Sequence, residues 1–497
     1  MRKGLIVLLT LVMVGVFALP AMADVSFFGS ARVVPTYYNN FDFDKNTADR
    51  PTLNEGGITG GEHIRGELRL GWKAGGDKWK ISMIAESDLI YNKNNVDRSY
   101  YTAPAINPGV PSPNANQLGG VNSIPNAGAE FGIERAEFSY AFTPALELFT
   151  GWPISAVDIG TGGLLYGDDH PIIGFRGKLT DNIKYQLAYL SIQNTPIVNT
   201  PESSLARDWR AYFLKPEFTF GTASAKATLS PILLYSDFRG NGTAAGGPVV
   251  ISPTAKVFYY GLEGIGQFGM IKPSFEVIVS DGEFRNTPTT DIKSLAAFAG
   301  VELAVNKAFN PYVAVRYTKG DDNSGDTEAE GFVGITDIGR FTPLMGMDGN
   351  ILGEHLGSGA SLFNSPLYSY APDRAVGGNL YGGISGGSSG NNPGSQILAV
   401  GAKGNLDDFV KNFSYKVQAF YIRYDKTGNL VKTGGGSVDK YAGTTADVQL
   451  MYAFSPNFST NYIFSAFVPG DGIKDQLPAT ADSTFASLHT LNLVWTY

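Results

Sequence analysis

Arg65, Glu67, Arg69 and Lys73 share one parity in the stretch EHIRGELRLGWK, Glu62 to Lys73, with His63 beside them. Charges of both signs at a period of two make a wall and not a reaction centre: they sort ions and dipolar solutes without forming bonds. The alternation returns with Lys80, Glu86 and Asp88 in WKISMIAESDLIY and with Arg135 and Glu137 in FGIERAEFSYAF, and Glu147, Arg176, Lys178 and Lys184 extend it. Arg65, Arg69 and Arg135 fall on neighbouring segments. They form either a basic ladder on one wall, or part of a polar wall in which Glu67 and Glu137 neutralise them.

Side chains suited to covalent chemistry lack the spacing for it. His63, His170, His355 and His489 show no HExxH-like pattern, and no serine sits in a GxSxG elbow. The glycine-rich pieces GTGGLLYG and GNLYGGISGG lack a phosphate-loop lysine. Ser487 and His489 lie two apart with nothing of a triad around them. We expect no enzyme, no cofactor and no resident metal. The chain has no cysteine, which excludes disulfides, covalent c-type haem and a lipoprotein anchor. A formal net charge of -8 argues against a nucleic-acid partner.

Only an extended strand places residues i, i+2 and i+4 on one side. Opposite the charges of the first stretch stand Ile64, Leu68, Leu70 and Trp72; the next carries Trp79, Ile81, Met83, Ala85 and Leu89, and the third Ala136, Phe138, Tyr140 and Phe142. Such a face meets core in a soluble sandwich and lipid in a membrane barrel. The connections decide between them. Short turns are expected at Ala74 to Asp77, Thr143-Pro144, Thr180 to Asn182, Lys307 to Pro311, Leu406 to Asn412 and Ser455 to Asn457. They alternate with long polar connections at Asn39 to Gly61, Asn92 to Glu130, Asp158 to His170, Asn194 to Arg207, Phe238 to Thr254, Gly282 to Asp291, Gly320 to Ser395, Asp425 to Lys440 and Gly470 to Ser483. A barrel with a short-turn rim and a long-loop rim shows this asymmetry, and a sandwich has no reason to. The count of connections predicts about 18 strands, within 16 to 20.

At the start, Arg2 and Lys3 precede an apolar run from Leu5 to Leu19, and Ala21-Met22-Ala23 supplies a small-x-small cleavage site. Residues 1–23 read as a secretory signal peptide of the Sec pathway, too short to span a bilayer, and 24–497 as the barrel. At the other end, FASLHTLNLVWTY puts Leu491, Leu493, Trp495 and Tyr497 on one face and finishes on an aromatic. This strand resembles the C-terminal strand of Gram-negative outer-membrane porin-like β-barrels, in which such a pattern is read by the barrel-assembly machinery.

The resemblance implies an all-β fold, a transmembrane antiparallel up-and-down barrel with short periplasmic turns and long extracellular loops, resident in the Gram-negative cell outer membrane among lipid and lipopolysaccharide. A barrel this wide encloses water. The expected activity is that of a porin: passive diffusion of small hydrophilic solutes or ions, with a homotrimer as one assembly state. ERAEFSY, FTGW and LLYGDD are similar to a pattern in alginate-export-type barrels, so an exporter or specific channel for an anionic polysaccharide is the alternative, beside a sheath around a partner protein.

Pore-lining candidates are Arg65, Glu67, Arg69, Lys73, Lys80, Glu86, Arg135, Glu137, Arg176 and Lys178. The segment DIGTGGLLYGDDH, Asp158 to His170, either folds inward as the third extracellular loop of general porins does, with Asp168 and Asp169 facing the arginines, or stays an outer loop. The longer 320–395 segment competes with it as constriction or plug and has room for a hairpin. Its Asp321, Asp322, Asp326, Glu328 and Glu330 read as a solvated run, with calcium or a cation bridge to lipopolysaccharide as the alternative.

Overall fold

A computed structural model of the chain describes residues 24–39, 62–90, 132–158, 160–168, 170–194, 206–222, 224–241, 255–284, 290–323, 326–335, 393–477, 479 and 484–497. The signal peptide and most of the long connections lie outside them. Each alternating stretch is a strand: β1 Asp24–Asn39, β2 Glu62–Gly75, β3 Trp79–Ile90, β4 Gly132–Thr143, β5 Leu146–Gly151 and β6 Ile172–Thr180. Next come β7 Ile183–Asn194, β8 Ala206–Thr222, β9 Ala225–Asn241, β10 Ala255–Phe268, β11 Ile271–Phe284 and β12 Thr290–Leu303. The wall is completed by β13 Asn310–Thr318, β14 Ser395–Asn405, β15 Phe413–Tyr424, β16 Tyr441–Ser455, β17 Phe458–Pro469 and β18 Ala486–Thr496.

Every strand pairs antiparallel with its successor, and the ring closes where β1 meets β18 from Ser30↔Thr496 to Asn39↔Ser487. At that seam the Gly29 amide donates to the Tyr497 carbonyl at 3.3 Å and the Tyr497 amide to the Gly29 carbonyl at 3.2 Å. Closure leaves no sheet edge, the condition for a β-structure to sit in hydrocarbon, where no water can satisfy an open main chain. The 18-stranded antiparallel barrel expected from the connections is the fold.

The expected short turns join β2 to β3, β4 to β5, β6 to β7, β12 to β13, β14 to β15 and β16 to β17. Two more, at Thr222↔Ala225 and Phe268↔Ile271, are additional to those expected. Beside the short turns the outer wall is aromatic: Phe458 lies 5.1 Å from Phe454 and 4.8 Å from Trp495, and Phe142 is exposed next to the 143–146 turn. This is the girdle expected at the headgroup level.

Alternation sorts the side chains. In β11, Phe275, Val277 and Val279 face outward and exposed, while Glu276, Ile278 and Ser280 are buried inside; Val277 is 42 % exposed and Ile278 0 %. In β10 the outward set is Phe258, Tyr260 and Leu262, and Val257, Tyr259 and Glu263 point in. Large apolar side chains left exposed around the whole circumference have one solvent that rewards them, which is lipid.

Val277 stands at the middle of β11, so Val277→Arg puts a charge in the apolar band. It is expected to destabilise the barrel by about 2–4 kcal/mol, measured as the shift of the urea-dependent folding equilibrium in phosphatidylcholine vesicles. An unchanged midpoint would show that this face does not meet lipid.

Candidate functional site

The inward face of β1 to β6 holds its charges in a bonded lattice. Arg69 is central: its Nε lies 2.5 Å from Glu86 and 2.9 Å from Glu67, and its Nη2 2.8 Å from Glu134. Register explains two of the partners, since Arg69 stands opposite Glu86 on β3, and Arg32 of β1 stands opposite Glu67, 3.7 Å away. Arg135 bonds Glu134 at 2.6 Å. A second group centres on Arg176, which reaches Glu137 at 2.7 Å and Glu147 at 2.8 Å and lies over the Phe149 ring, 4.8 Å from its centroid. Lys178 pairs with Asp181 in the adjoining turn at 2.7 Å. Lys73 and Lys80, near the short-turn rim, are exposed and have no ion pair within 4 Å among the described residues. The Arg65 side chain lies outside the described residues.

Of the two arrangements open from sequence, Arg32, Arg69, Arg135 and Arg176 take the matched one. Each has a carboxylate partner, and the charges of β1 to β6 form a balanced wall. Fixed charges of both signs side by side make a local field that turns with position, which orients dipolar solutes without strongly excluding either ion sign. Glu134 was not among the expected lining residues. Strict alternation assigns it to the outer face with Ala136, but the register shifts between Ile84 and Ala85 where β3 meets β4. The extra residue of this bulge turns Glu134 inward between two arginines.

The loop after β5 enters the barrel. Gly151 has φ of +128°, and a Cβ there would meet the Ala136 carbonyl oxygen at 2.1 Å; no other residue lets the chain leave the wall at this point. A two-residue pairing, Ser155–Ala156 with Gly167–Asp168, closes the loop on itself. Inside it the buried Asp158 carboxylate accepts from the amides of Leu165 at 2.6 Å and Tyr166 at 3.2 Å. The tip is tied to the opposite arc of wall. Gly162 donates its amide to Glu276 of β11 at 2.7 Å, and Thr161 Oγ1 lies 2.8 Å from Glu276 and 3.1 Å from Glu263 of β10. Lys215 of β8 binds both Glu263 and the Val157 carbonyl. A Cβ on Gly162 would sit 2.7 Å from Phe298 and 2.8 Å from Glu276, so glycine is what permits the close approach.

A second segment, 326–335, also runs inside. Its Glu328 and Ala329 pair parallel with Asp291 and Ile292 of β12. Tyr259 donates its hydroxyl to the Val333 carbonyl at 3.0 Å, and the Ile335 amide donates to the Leu165 carbonyl at 2.8 Å, joining the two inner segments. Together they bury Leu164, Leu165, Phe332 and Ile335 against Phe238, Tyr259 and Phe298 of the wall. Part of the interior is therefore filled by apolar packing. On β13 to β17 the lining mixes isolated charges, among them Arg316 of β13 and Asp447 of β16, with uncharged groups: Tyr312 reaches over Gly401 to Gln418 at 2.7 Å, Gln418 donates to Asp447 at 2.6 Å, and Ser465 also binds Asp447.

Other expected positions resolve differently. Asp169 and the Asp168 side chain lie outside the described residues; the loop contacts that are described run through Asp158, Thr161 and Gly162. In the acidic run, Asp321 accepts the amides of Asn323 and Glu330, each at 2.9 Å, Asp322 pairs with Lys426 at 3.1 Å and Glu330 with Lys319 at 2.6 Å. Burial raises the Asp321 carboxyl above its ordinary range, opposed by those two amides. His489 faces outward, its Nδ1 3.0 Å from the Tyr462 hydroxyl and its ring 4.8 Å from that of Phe464.

No protein-family model matches the chain, and no curated protein sequence matches it. Solved structures do. OccAB2 of Acinetobacter baumannii aligns over 95% of this chain and 98% of its own with a TM-score of 0.52 at 11% identity. OccAB4 of the same organism aligns over 96% and 99% with a TM-score of 0.50 at 11% identity. OccK8 (OprE) of Pseudomonas aeruginosa aligns over 95% and 98% with a TM-score of 0.50 at 9% identity. The likeness is one of fold: the chain is a porin-like all-β barrel.

Asp158 is the pin of the inner loop, so Asp158→Ala is expected to speed hydrogen exchange of the Leu165 and Tyr166 amides by about 10- to 100-fold, the loss of charge-assisted bonds of roughly 1.5–3 kcal/mol. Exchange followed by mass spectrometry reads this. Unchanged protection would place the loop's order in its apolar contacts alone.

Proposed function

We propose that the chain is an outer-membrane channel for passive diffusion of small hydrophilic solutes or ions. The observation that carries this reading is the division of one closed wall into an apolar outside and an inside that bears paired charges. A soluble protein gains nothing from such an outside, and a filled barrel has no need of so many ionised groups within. The likeness of fold to OccAB2, OccAB4 and OccK8 supports the same reading, since these structural neighbours are outer-membrane channels.

Selection follows from the geometry. The inner segments 157–166 and 326–335 narrow the interior from one side, so a solute passes along the arc carrying Arg69, Glu86, Glu134, Arg135 and Arg176. Because Arg32, Arg69, Arg135 and Arg176 are each matched by a carboxylate, this arc offers no purely electropositive track of the kind an anionic polysaccharide would need. Small solutes with both donors and acceptors suit it better. Leu491, Leu493 and Trp495 face outward on β18, with Trp495 stacked on Phe458, and with Tyr497 they are taken as the assembly signal. The proposal assigns the protein no covalent chemistry.

Two measurements bear on it. The purified chain in planar bilayers is expected to conduct in discrete open-channel steps; a sealed bilayer at all voltages would overturn the channel. Arg69→Gln with Arg135→Gln leaves Glu67, Glu86 and Glu134 short of cations, so the reversal potential under a salt gradient is expected to move toward cation selectivity. If it stays where the unaltered protein has it, the ion path does not follow this arc.

A further inference from the structure

Lipid-facing positions of a barrel normally carry Leu, Val and aromatic side chains, and small residues among them leave room. Ala297 and Ala299 face outward from the middle of β12, flanked by Phe275 and Val277 of β11 and by Val315 and Tyr317 of β13. The missing bulk opens a hollow of about 540 Å³ on the outside of the wall. Strand register gives the hollow its shape. Val277 opposes Ala297, which opposes Tyr317, then Gln396 of β14, then Arg423 of β15, a single row across five strands. The row two residues nearer the short-turn rim runs from Phe275 through Ala299 to Tyr421. Four inter-strand steps of about 4.8 Å make the row roughly 19 Å long, more than the half-thickness of a hydrocarbon core about 30 Å across.

The two ends of the hollow differ in chemistry. Phe275 and Val277 close one end with hydrocarbon at the middle of β11. At the other, Tyr317 donates its hydroxyl to Asp425 at 3.2 Å and Gln396 its amide at 3.1 Å, while the Gly320 amide donates to the same carboxylate at 2.9 Å. Asp425 is thus engaged by groups of the wall. Arg423 is not: it is the next-to-last residue of β15 on the long-loop side, and it makes no hydrogen bond or ion pair among the described residues. It stands one outward position beyond Tyr421, whose ring stacks on Tyr441 with centroids 5.0 Å apart. Aromatic pairs of this kind mark the headgroup level, and a guanidinium just beyond them meets lipid phosphates, which it binds through two parallel N–H donors.

We infer that the hollow over Ala297 and Ala299 seats one acyl chain of a phosphorylated outer-leaflet lipid, with the lipid's phosphate on Arg423. The inference rests on the outer-membrane reading above. Charge complementarity selects this occupant: a cation unpaired among the described residues, at the polar end of an apolar trough, matches a molecule that is anionic at one end and hydrocarbon along the rest. A side chain of a second copy would fill the trough and leave the guanidinium without an anion.

The test uses the full chain in phosphatidylcholine nanodiscs with lipid A as the probe, bound lipid being counted by native mass spectrometry. The unaltered barrel is expected to retain one lipid A. Arg423→Gln is expected to weaken retention about tenfold, the loss of one charge-assisted contact, and Ala299→Phe, which fills the trough and keeps the charge, is expected to weaken it to a similar degree. Lipid A stripped of its phosphates is expected to bind the unaltered barrel and Arg423→Gln alike. Heat-modifiable gel mobility verifies that each variant is a closed barrel. Equal retention by all three proteins would overturn the inference, as would variants that change cross-linked copy number and leave lipid binding untouched. A chain that fails to enter any bilayer would instead break the membrane reading on which the inference stands.

Discussion

A main-chain amide or carbonyl in hydrocarbon has no water to turn to, and that constraint shapes everything else in this molecule. It forces the strands into a ring, because any open edge would leave a row of unbonded groups in lipid. The hydrogen bonds between β1 and β18 and between Gly29 and Tyr497 are where the demand is finally met. Once the ring is closed, the two-residue period of a strand has only one use: one parity meets lipid and the other meets whatever the barrel contains.

The contents are of two kinds. Along β8 to β13 the inward side chains are largely apolar, and the chain supplies its own covering, the segments 157–166 and 326–335, which pack there and meet each other through Leu165 and Ile335. Along β1 to β6 the inward side chains include arginines and glutamates that pair with one another and have no inner segment over them among the described residues. The inner loop is anchored by the few charges of the apolar sector, Lys215, Glu263 and Glu276. Polar groups fix position there because a buried carboxylate or ammonium is costly unless fully bonded, whereas apolar contacts tolerate sliding.

Much of this was legible in the chain. The alternation in Glu62 to Lys73 and the rhythm of short turns and long connections led to the closed barrel and its strand number, since both are local or counting properties. Glu134 was hidden because a bulge breaks the period by one residue, and nothing in IERAEF marks where the extra residue falls. The anchors of the inner loop were hidden for another reason: Gly162 and Glu276 are 114 residues apart, and only the curvature of the wall brings them together. A signal existed nonetheless. Glu263 and Glu276 are the charges in the middle of their strands, between Leu262 and Gly264 and between Phe275 and Val277, and a mid-strand charge of inward parity in a lipid-spanning strand has to have a partner inside.

The central claim, that adjacent residues of one strand meet different solvents, has a direct test because the chain contains no cysteine. Single cysteines introduced in turn at positions 80 to 85 of β3, labelled with a fluorophore in vesicles, report lipid contact through quenching by nitroxide-bearing lipids. The account predicts strong quenching at 81, 83 and 85 and weak quenching at 80, 82 and 84. Quenching that is uniform along the strand, or absent at every position, would contradict it.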